Sequence, residues 1–231
     1  MKFLIQTIEG KVRHDFSFTL LESIQFHKWL GNNEFTVEFT DEKTLPNCIP
    51  IGSVDFVVKY LNDHYGLSPK PINIPAELLD KKWTGRNVIN GTEKDIEGKK
   101  FVKSNDKIKS FTEICESAPK GNYQISDLIN IESEWRTFIY KGTLVGLQNY
   151  SGEFDVFPDT DKIHLMINEY KSQPISYTLD VAVSNGETVI IEAHDFFSCG
   201  LYGFADHKLL PFMFARWFKN FVDNQKITTF V

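Results

Sequence analysis

Two short apolar segments late in the chain carry acidic and imidazole side chains where a buried strand normally carries apolar ones. They lie in YTLDVAVSNGETVIIEAHDFF, residues 177–197, which indicates two strands joined by a turn. Asp180 belongs to the first strand, and Glu192 and His194 belong to the second. Side chains two residues apart on a strand point to the same face, so Glu192 and His194 share one. Two carboxylates on one half-buried face repel each other, and a hard divalent cation would relieve that repulsion.

The length of the turn decides whether Asp180 joins this face. A two-residue turn at Asn185-Gly186 would direct Asp180 away from Glu192. A three-residue turn at 184–186 would place Asp180 opposite Ile190 and diagonal to Glu192, on the same face. We predict the three-residue turn. The spacing alone leaves open whether these acids bind a metal ion or are ordinary surface residues.

Basic residues on two other predicted strands favour a metal–nucleotide site. Lys103 ends the apolar strand FVKS, and Arg136 lies in SEWRTFIYKG on the same face as Glu134. Cations of this kind contact phosphates, while carboxylates hold the metal ion. The chain has no GxxxxGK[ST] loop and no GxGxxG after a strand, which excludes P-loop, Rossmann and protein-kinase sites. The pattern therefore predicts a different kind of site for a magnesium–nucleoside triphosphate complex.

The first part of the chain alternates between strand and helix patterns. Residues 1–8 and 34–40 read as strands, and residues 19–31 read as a helix. A second helix has Ser53 as its N-cap and ends at Gly66. These elements predict a small α/β layer.

A proline-rich connector at residues 67–79 separates this layer from a part of the chain dominated by strand pairs. Residues 206–224 then close the chain with apolar residues at helical spacing, which predicts a helix packed on a core. We therefore predict an α+β protein. Its small α/β N-terminal domain would cover residues 1–80, and its second domain residues 81–231.

The composition excludes several classes of protein. The formal net charge of −6 argues against nucleic acid as the main partner, because a phosphate backbone requires clustered Lys and Arg. Three widely spaced cysteines fit reduced thiols better than a disulfide framework. The N-terminal apolar run is too short for a signal peptide, and no run approaches the length of a membrane span. We expect a soluble, cytoplasmic protein, and the sequence leaves its oligomeric state open.

The order and spacing of several segments resemble the ATP-grasp superfamily, and most closely its clade of short proteins characterised by two arginines and a lysine. The segments are PIGSVDFV, PKPINIP, GRNV, FVKSNDKIKSFTE, SEWRTFI and the hairpin that begins at Tyr177. They span about residues 45–205. The resemblance implies an ATP-grasp fold of two α+β subdomains that close on ATP, preceded by a small α/β domain.

The resemblance also implies roles for individual residues. The residues implied in catalysis are Lys103 and Arg136. The residues implied to bind ATP are Arg86, Lys103, Lys109, Gln124, Ile125 and Ser126. The implied metal ligands are Asp180, Glu192 and His194. Lys109 would lie on the strand after the phosphate loop, and the backbone of residues 124–126 would meet the adenine edge.

Two features depart from the superfamily pattern. Where that pattern has E-x-N, this chain has Glu192-Ala193-His194, and imidazole suits Mn²⁺ or Zn²⁺ better than Mg²⁺. His194 could bind a different ion, donate a hydrogen bond to a phosphate or leave one metal site poor, and Asp195 could replace it as a ligand. The phosphate loop also lacks glycine, so its backbone would hold phosphates less closely.

The implied activity is ATP-dependent ligation of a carboxylate to an amine or a thiol through an acyl phosphate, with Mg²⁺ or Mn²⁺. The substrates would be small molecules or peptides, such as amino acids. The alternative is a non-catalytic nucleotide-binding or interaction module with the same fold. Nothing in the sequence identifies the substrate pair.

Overall fold

The computed structural model describes residues 1–228, which form two compact units. Unit 1 comprises Met1–Ser68, Pro174–Ser176 and the chain from Phe196 onward. Unit 2 comprises Pro69–Gln173 and Tyr177–Asp195. Each unit is made of segments that are separate in the sequence, because the chain passes from one unit to the other more than once. A compact unit of this kind is not necessarily a domain that folds independently. The domain boundary after residue 80 therefore stays a prediction.

Strands and helices are mixed along the described chain, which confirms the predicted α+β class. The strands are β1 (Lys2–Gln6), β2 (Thr36–Thr40), β3 (Ile49–Ile51), β4 (Val88–Thr92), β5 (Lys100–Ser104), β6 (Thr112–Cys115), β7 (Asn122–Ser126), β8 (Ser133–Tyr140), β9 (Thr143–Gly152), β10 (Ser176–Ser184) and β11 (Glu187–Asp195). The helices are α1 (Asp15–Trp29), α2 (Val54–Tyr65), α3 (Lys81–Thr84), α4 (Thr160–Glu169) and α5 (Leu210–Thr228). Within residues 1–228, no helix is both long and apolar enough to cross a bilayer.

Unit 1 is built on a parallel sheet with the strand order β2-β1-β3. The predicted start and end of α2 are confirmed. The Ser53 side chain accepts a hydrogen bond from the Phe56 N–H at 3.2 Å, and Gly66 adopts a left-handed conformation at the C-cap. The ring centroids of Phe214 and Phe218, on α5, lie 6.5 Å from that of Phe16 and 6.0 Å from that of Tyr60, respectively. The apolar face of α5 is thus a core surface, as its spacing predicts.

Unit 2 contains two four-stranded sheets. We call the sheet with the order β11-β10-β8-β9 the acidic sheet, because it carries Asp180 and Glu192. We call the sheet with the order β4-β7-β5-β6 the lysine sheet, because it carries Lys103. All paired strands of the lysine sheet are antiparallel, as are β10–β11 and β8–β9.

The acidic sheet has the larger core. Its inner strand β10 is buried at every position. α4, which the sequence did not predict, packs Ile163, Met166 and Ile167 into the same cluster as Leu179 and Ile139. This core fixes the strands that carry the acidic side chains.

Candidate functional site

The hairpin of β10 and β11 closes with a two-residue turn. Asn185 and Gly186 both have positive φ angles, 51° and 76°, as a type I′ turn requires. Ser184 pairs directly with Glu187 across this turn. The prediction of a three-residue turn is therefore wrong, because the Asn-Gly pair adopts the tight turn that matches strand twist.

A β-bulge at Ile191 nevertheless brings the two acids together. Val181 pairs with Ile190, and the next pair is Asp180 with Glu192, so Ile191 is the extra residue. The bulge shifts the remainder of β11 by one position. Asp180 and Glu192 are therefore directly opposite each other, and their side chains share a face. The shared face exists for a reason that the sequence did not indicate.

The three predicted metal ligands form one cluster. Ligand atoms of Asp180, Glu192 and His194 all lie within 4.8 Å of one another. The Nε2 atom of His194 is 2.6 Å from Oε1 of Glu192, and Asp180 is buried. Two carboxylates and an imidazole are a donor set that binds divalent metal ions.

Arg136 neutralises the most deeply buried of these acids. Its Nε donates to Oδ1 of Asp180 at 2.8 Å, and its Nη2 donates to Oδ2 at 2.7 Å. Such bidentate pairs fix the geometry of both groups. The guanidinium also lies over the ring of Tyr150, 5.7 Å from its centroid. Arg136 is therefore held as a rigid positive group beside the metal-ligand cluster.

Lys103 supplies the second cation, from the other sheet. Its ammonium group forms an ion pair with Oε2 of Glu192, and the Lys103 side chain is 10% exposed. Burial raises the pKa of Glu192, but the charges and hydrogen bonds of His194 and Lys103 outweigh burial and hold that pKa well below its usual value. Glu192 is therefore ionised at neutral pH, as a metal ligand must be.

A cleft of about 270 Å³ opens beside these groups. Its lining residues are Pro71, Asn73, Phe101, Lys103, Ser104, Ile108, Lys109, Phe111, Thr112, Glu134, Tyr150, Ile191, Glu192 and His194. Ionisable groups and apolar side chains from both sheets of unit 2 contribute to it. The arrangement suits a ligand with a flat apolar part and a charged part.

Glu134 and Tyr150 are cleft residues to which the sequence analysis gave no role. The hydroxyl group of Tyr150 donates to Oε1 of Glu134 at 3.3 Å. Burial raises the pKa of Glu134, and the negative charges of Asp180 and Glu192 raise it further. The only sequence signals were the position of Glu134 two residues before Arg136 and the predicted hairpin that carries Tyr150 back beside it.

Arg86 does not line this cleft. Its Nη1 donates to the backbone carbonyl groups of Thr84 at 2.9 Å and Ile190 at 3.1 Å. Burial lowers its pKa to about 10, although Asp127 opposes this effect. In the described structure Arg86 thus anchors the backbone next to the bulge, and its role in ATP binding stays a prediction.

Lys109 lies in the loop between β5 and β6 and not on the strand that follows the loop. It is exposed, has a φ of 56° and precedes the first residue of β6, Thr112. The predicted strand position is therefore wrong, because the chain is still turning at Lys109. Its side chain lines the cleft, and its role in ATP binding stays a prediction.

Gln124, Ile125 and Ser126 lie on β7, an inner strand of the lysine sheet. All three pair with β4 on one side and with β5 on the other. The Gln124 side chain also accepts from the Ile74 N–H at 2.9 Å and donates to the Ile74 carbonyl at 3.0 Å. Their backbone groups are thus engaged in the sheet, and the part in adenine binding stays a prediction.

Comparison with known proteins identifies the family of this chain. Residues 83–211 match the family model described as ATP-grasp domain, R2K clade family 2. No curated protein sequence gives a significant match.

Several solved structures have a similar fold. D-alanine–D-alanine ligase from Bacillus anthracis gives a TM-score of 0.54 at 11% identity, covering 97% of this chain and 99% of the ligase. The same ligase complexed with ATP gives 0.51 at 10% identity, with 98% of each chain covered. A RimK domain ATP-grasp protein from Sphaerobacter thermophilus gives 0.54 at 10% identity, covering 96% and 99%. The ATP-grasp ligase PsnB, complexed with a minimal precursor, gives 0.52 at 10% identity, covering 93% and 99%.

At these identities the structural similarity establishes the fold alone. The family model covers more than half of the 231 residues and includes Lys103, Arg136 and the whole acidic cluster. The chain has the ATP-grasp fold and belongs to the R2K clade of ATP-grasp proteins, family 2.

Proposed function

We propose that this protein is an ATP-dependent ligase that joins a carboxylate to an amine or a thiol through an acyl phosphate. One observation carries the proposal. Two buried cations, Lys103 and Arg136, are each paired with a carboxylate of a cluster that can hold a metal ion, beside a single cleft. Phosphoryl transfer requires this combination of fixed positive charge and metal-binding acids.

ATP would occupy the cleft between the lysine sheet and the acidic sheet. Lys103 would contact the phosphates, and Lys109 would approach them from the loop between β5 and β6. Phe101 and Ile191 supply apolar surface for the base.

Asp180, Glu192 and His194 would hold the divalent cation. The donor set fits, because the three ligand atoms lie within 4.8 Å of one another and Glu192 is ionised. An ionised carboxylate offers about four acceptor sites, so each acid can keep its cation partner and still bind a metal ion. A bound cation would offset negative charge on the terminal phosphates of ATP.

The substrate carboxylate would attack the γ-phosphorus, break its bond to ADP and form an acyl phosphate. The amine would then attack the acyl carbon, form the C–N bond and release phosphate together with a proton. Lys103 and Arg136 offset the charge that develops in the first step. Removing one such contact typically raises the barrier by about 3 kcal/mol.

The substrate class is proposed from the similar proteins. One of them is named for the ligation of D-alanine and another was solved with a minimal precursor. We propose an amino acid or a peptide as the carboxylate substrate.

Hydroxylamine tests this activity without knowledge of the natural amine, because it traps an acyl phosphate as a hydroxamate. The full chain is incubated with ATP, Mg²⁺ or Mn²⁺, hydroxylamine and pools of amino acids and peptides. We expect ADP and hydroxamate in equal amounts with at least one pool. Lys103→Met should reduce the rate about 100-fold. Lys162→Met should not change it, because Lys162 lies on α4, pairs with Glu187 and does not line the cleft.

Nucleotide binding without hydroxamate from any pool would contradict the ligase proposal. It would leave the non-catalytic nucleotide-binding module as the function of this fold.

A further inference from the structure

We propose that the cation site prefers Mn²⁺ to Mg²⁺, because His194 offers it an imidazole ligand, and that a bound cation turns the second ring nitrogen of His194 into a donor to the hydroxyl group of Thr178. This inference rests on the proposed nucleotide site and specifies which cation it takes. Both residues belong to unit 2.

The His194 ring already presents a nitrogen to the acidic cluster. Its Nε2 lies 2.6 Å from Oε1 of Glu192, and the His194 side chain is only 30% exposed. Mg²⁺ prefers oxygen ligands in a near-ideal octahedron. Imidazole is a softer donor, and first-row transition ions accept it more readily. A donor set of two carboxylates and one imidazole therefore favours Mn²⁺ over Mg²⁺.

Thr178 carries a buried hydroxyl group that has no structural use in the described chain. It lies on β10 directly opposite His194, so the two side chains share a face. Its exposed fraction is 0%, and its Oγ1 has no hydrogen-bond partner among the described residues. Leaving such a group unpaired costs about 1 to 3 kcal/mol, which requires an explanation.

A metal-bound histidine supplies that explanation. When Nε2 coordinates a cation, Nδ1 carries the proton and donates it to a neighbouring acceptor, which fixes the tautomer and the ring orientation. Cβ atoms of directly opposite residues lie about 4.5 to 5.5 Å apart, so the Thr178 hydroxyl group can reach the His194 ring. Thr178 is thus a positioning residue that acts through His194.

Thr137 provides a matched control for Thr178. It is also a fully buried threonine of the acidic sheet, but its hydroxyl group donates to the Leu179 carbonyl at 2.8 Å. Replacing either residue by valine removes one hydroxyl group and preserves shape. Only the Thr178 change should alter cation preference.

The first experiment compares cation preference at constant nucleotide. A non-hydrolysable ATP analogue is held fixed while Mg²⁺ or Mn²⁺ is titrated, and the thermal midpoint reports binding. In the wild type we expect half-saturation at a concentration of Mn²⁺ at least about tenfold below that of Mg²⁺. His194→Asn should reduce this ratio toward that of a site made of oxygen ligands.

The threonine variants test the positioning role. Thr178→Val should weaken Mn²⁺ binding about tenfold, as loss of a partner to a metal-bound histidine does, and leave Mg²⁺ binding little changed. Thr178→Ser keeps the hydroxyl group and should restore Mn²⁺ binding. Thr137→Val should leave the ratio of the two cations as in the wild type.

Pulsed electron paramagnetic resonance of the Mn²⁺–nucleotide complex gives a readout independent of activity. We expect a ¹⁴N coupling from imidazole in the wild type that is absent in His194→Asn. Equal cation ratios in these two proteins, without such a coupling, would overturn the inference and leave the ligase proposal standing. No stabilisation by the analogue with either cation would overturn both.

Discussion

The two sheets of unit 2 each supply part of the candidate site, but they are built differently. The acidic sheet packs on a large cluster of buried side chains, and its strand β10 is buried throughout. The cluster of the lysine sheet contains only three buried apolar residues, Val102, Tyr123 and Ile125. Because its core is larger, we expect the acidic sheet to be the more rigid and more stable of the two sheets.

The two ion pairs of the site also differ in how deeply they are buried. Arg136 and Asp180 pair within the acidic sheet, where their side chains are 9% and 2% exposed. Lys103 and Glu192 pair between the sheets, where theirs are 10% and 18% exposed. The first pair should therefore matter most for folding, and the second should matter most for binding.

The largest expected effect is that of Arg136→Met on folding. It leaves the buried carboxylate of Asp180 without its cation, and such a loss typically costs about 3 to 5 kcal/mol. Urea denaturation of the wild type and the variant measures the change. Arg136→Met combined with Asp180→Leu should recover most of the lost stability, because no uncompensated charge remains.

A loss below about 1 kcal/mol in the single variant would mean that Asp180 is hydrated or paired elsewhere. The expectation that the acidic sheet is the more rigid of the two sheets would then be wrong.

Identical truncations in the two cores measure their difference directly. Ile139→Ala in the acidic sheet should cost about 4 kcal/mol, and Ile125→Ala in the lysine sheet should cost about 2 kcal/mol. Both side chains are buried, at 0% and 3% exposure, but the smaller core can relax more fully around the gap. Chemical denaturation provides both values. Equal losses in the free energy of unfolding would mean that the two sheets do not differ in stability in this way.

Lys103→Met should separate binding from folding. Glu192 keeps its hydrogen bond with His194, so we expect a loss of only about 2 kcal/mol in the free energy of unfolding. The same variant should lose most of the stabilisation that nucleotide gives. Denaturation with and without the ATP analogue checks both expectations. Nucleotide stabilisation that survives the change would place the phosphates away from β5.

The smallest expected effects concern stability at different pH, to which Glu192 and Glu134 should contribute in opposite directions. The folded-state pKa of Glu192 is lowered, so its stabilising contribution is present above its usual value and is lost as the pH falls. The folded-state pKa of Glu134 is raised by burial, so its contribution is present below its usual pKa and is lost as the pH rises through that raised folded-state pKa. At pH 7, Glu192→Gln should therefore be less stable than the wild type, and Glu134→Gln more stable.

Thermal unfolding from pH 3 to pH 8 measures these differences. Both should shrink below the ordinary glutamate pKa of 4.5. Differences of the same sign at pH 7 would contradict the assigned environments.

Local patterns predicted the elements of the chain better than their pairing. The strand KFVKS matches β5, and the Ser53 cap and the Gly66 stop depend on residues within one turn of the helix. α4 was missed, although Asp159 caps it by accepting from the N–H groups of Asp161 and Lys162. Its buried residues Ile163, Met166 and Ile167 have helical spacing, so the local pattern for this helix was present in the sequence and was overlooked.

The site depended on sheet register, which no local pattern encodes. Ile191 is an ordinary strand residue by type, and only pairing of β10 with β11 makes it a bulge. Tyr150 reaches the cleft because β9 itself has an irregular register opposite Glu134 and Trp135. The sequence therefore identified acidic and basic residues whose pattern suits a metal–nucleotide site. It did not identify the β-bulges that orient their side chains toward the cleft.

The most direct test of the nucleotide site is thermal unfolding with and without ATP and a divalent cation, in the wild type, Glu192→Gln and Glu187→Gln. Glu187 is an exposed residue on the same strand and serves as the matched control. A ligand at a hundredfold its Kd stabilises a protein by about 2.7 kcal/mol, or about 5 to 10 °C for a chain of this size. We predict this shift in the wild type and in Glu187→Gln, with loss of the shift in Glu192→Gln. Absence of a shift in the folded wild type with both Mg²⁺ and Mn²⁺, or an undiminished shift in Glu192→Gln, would contradict the proposed site.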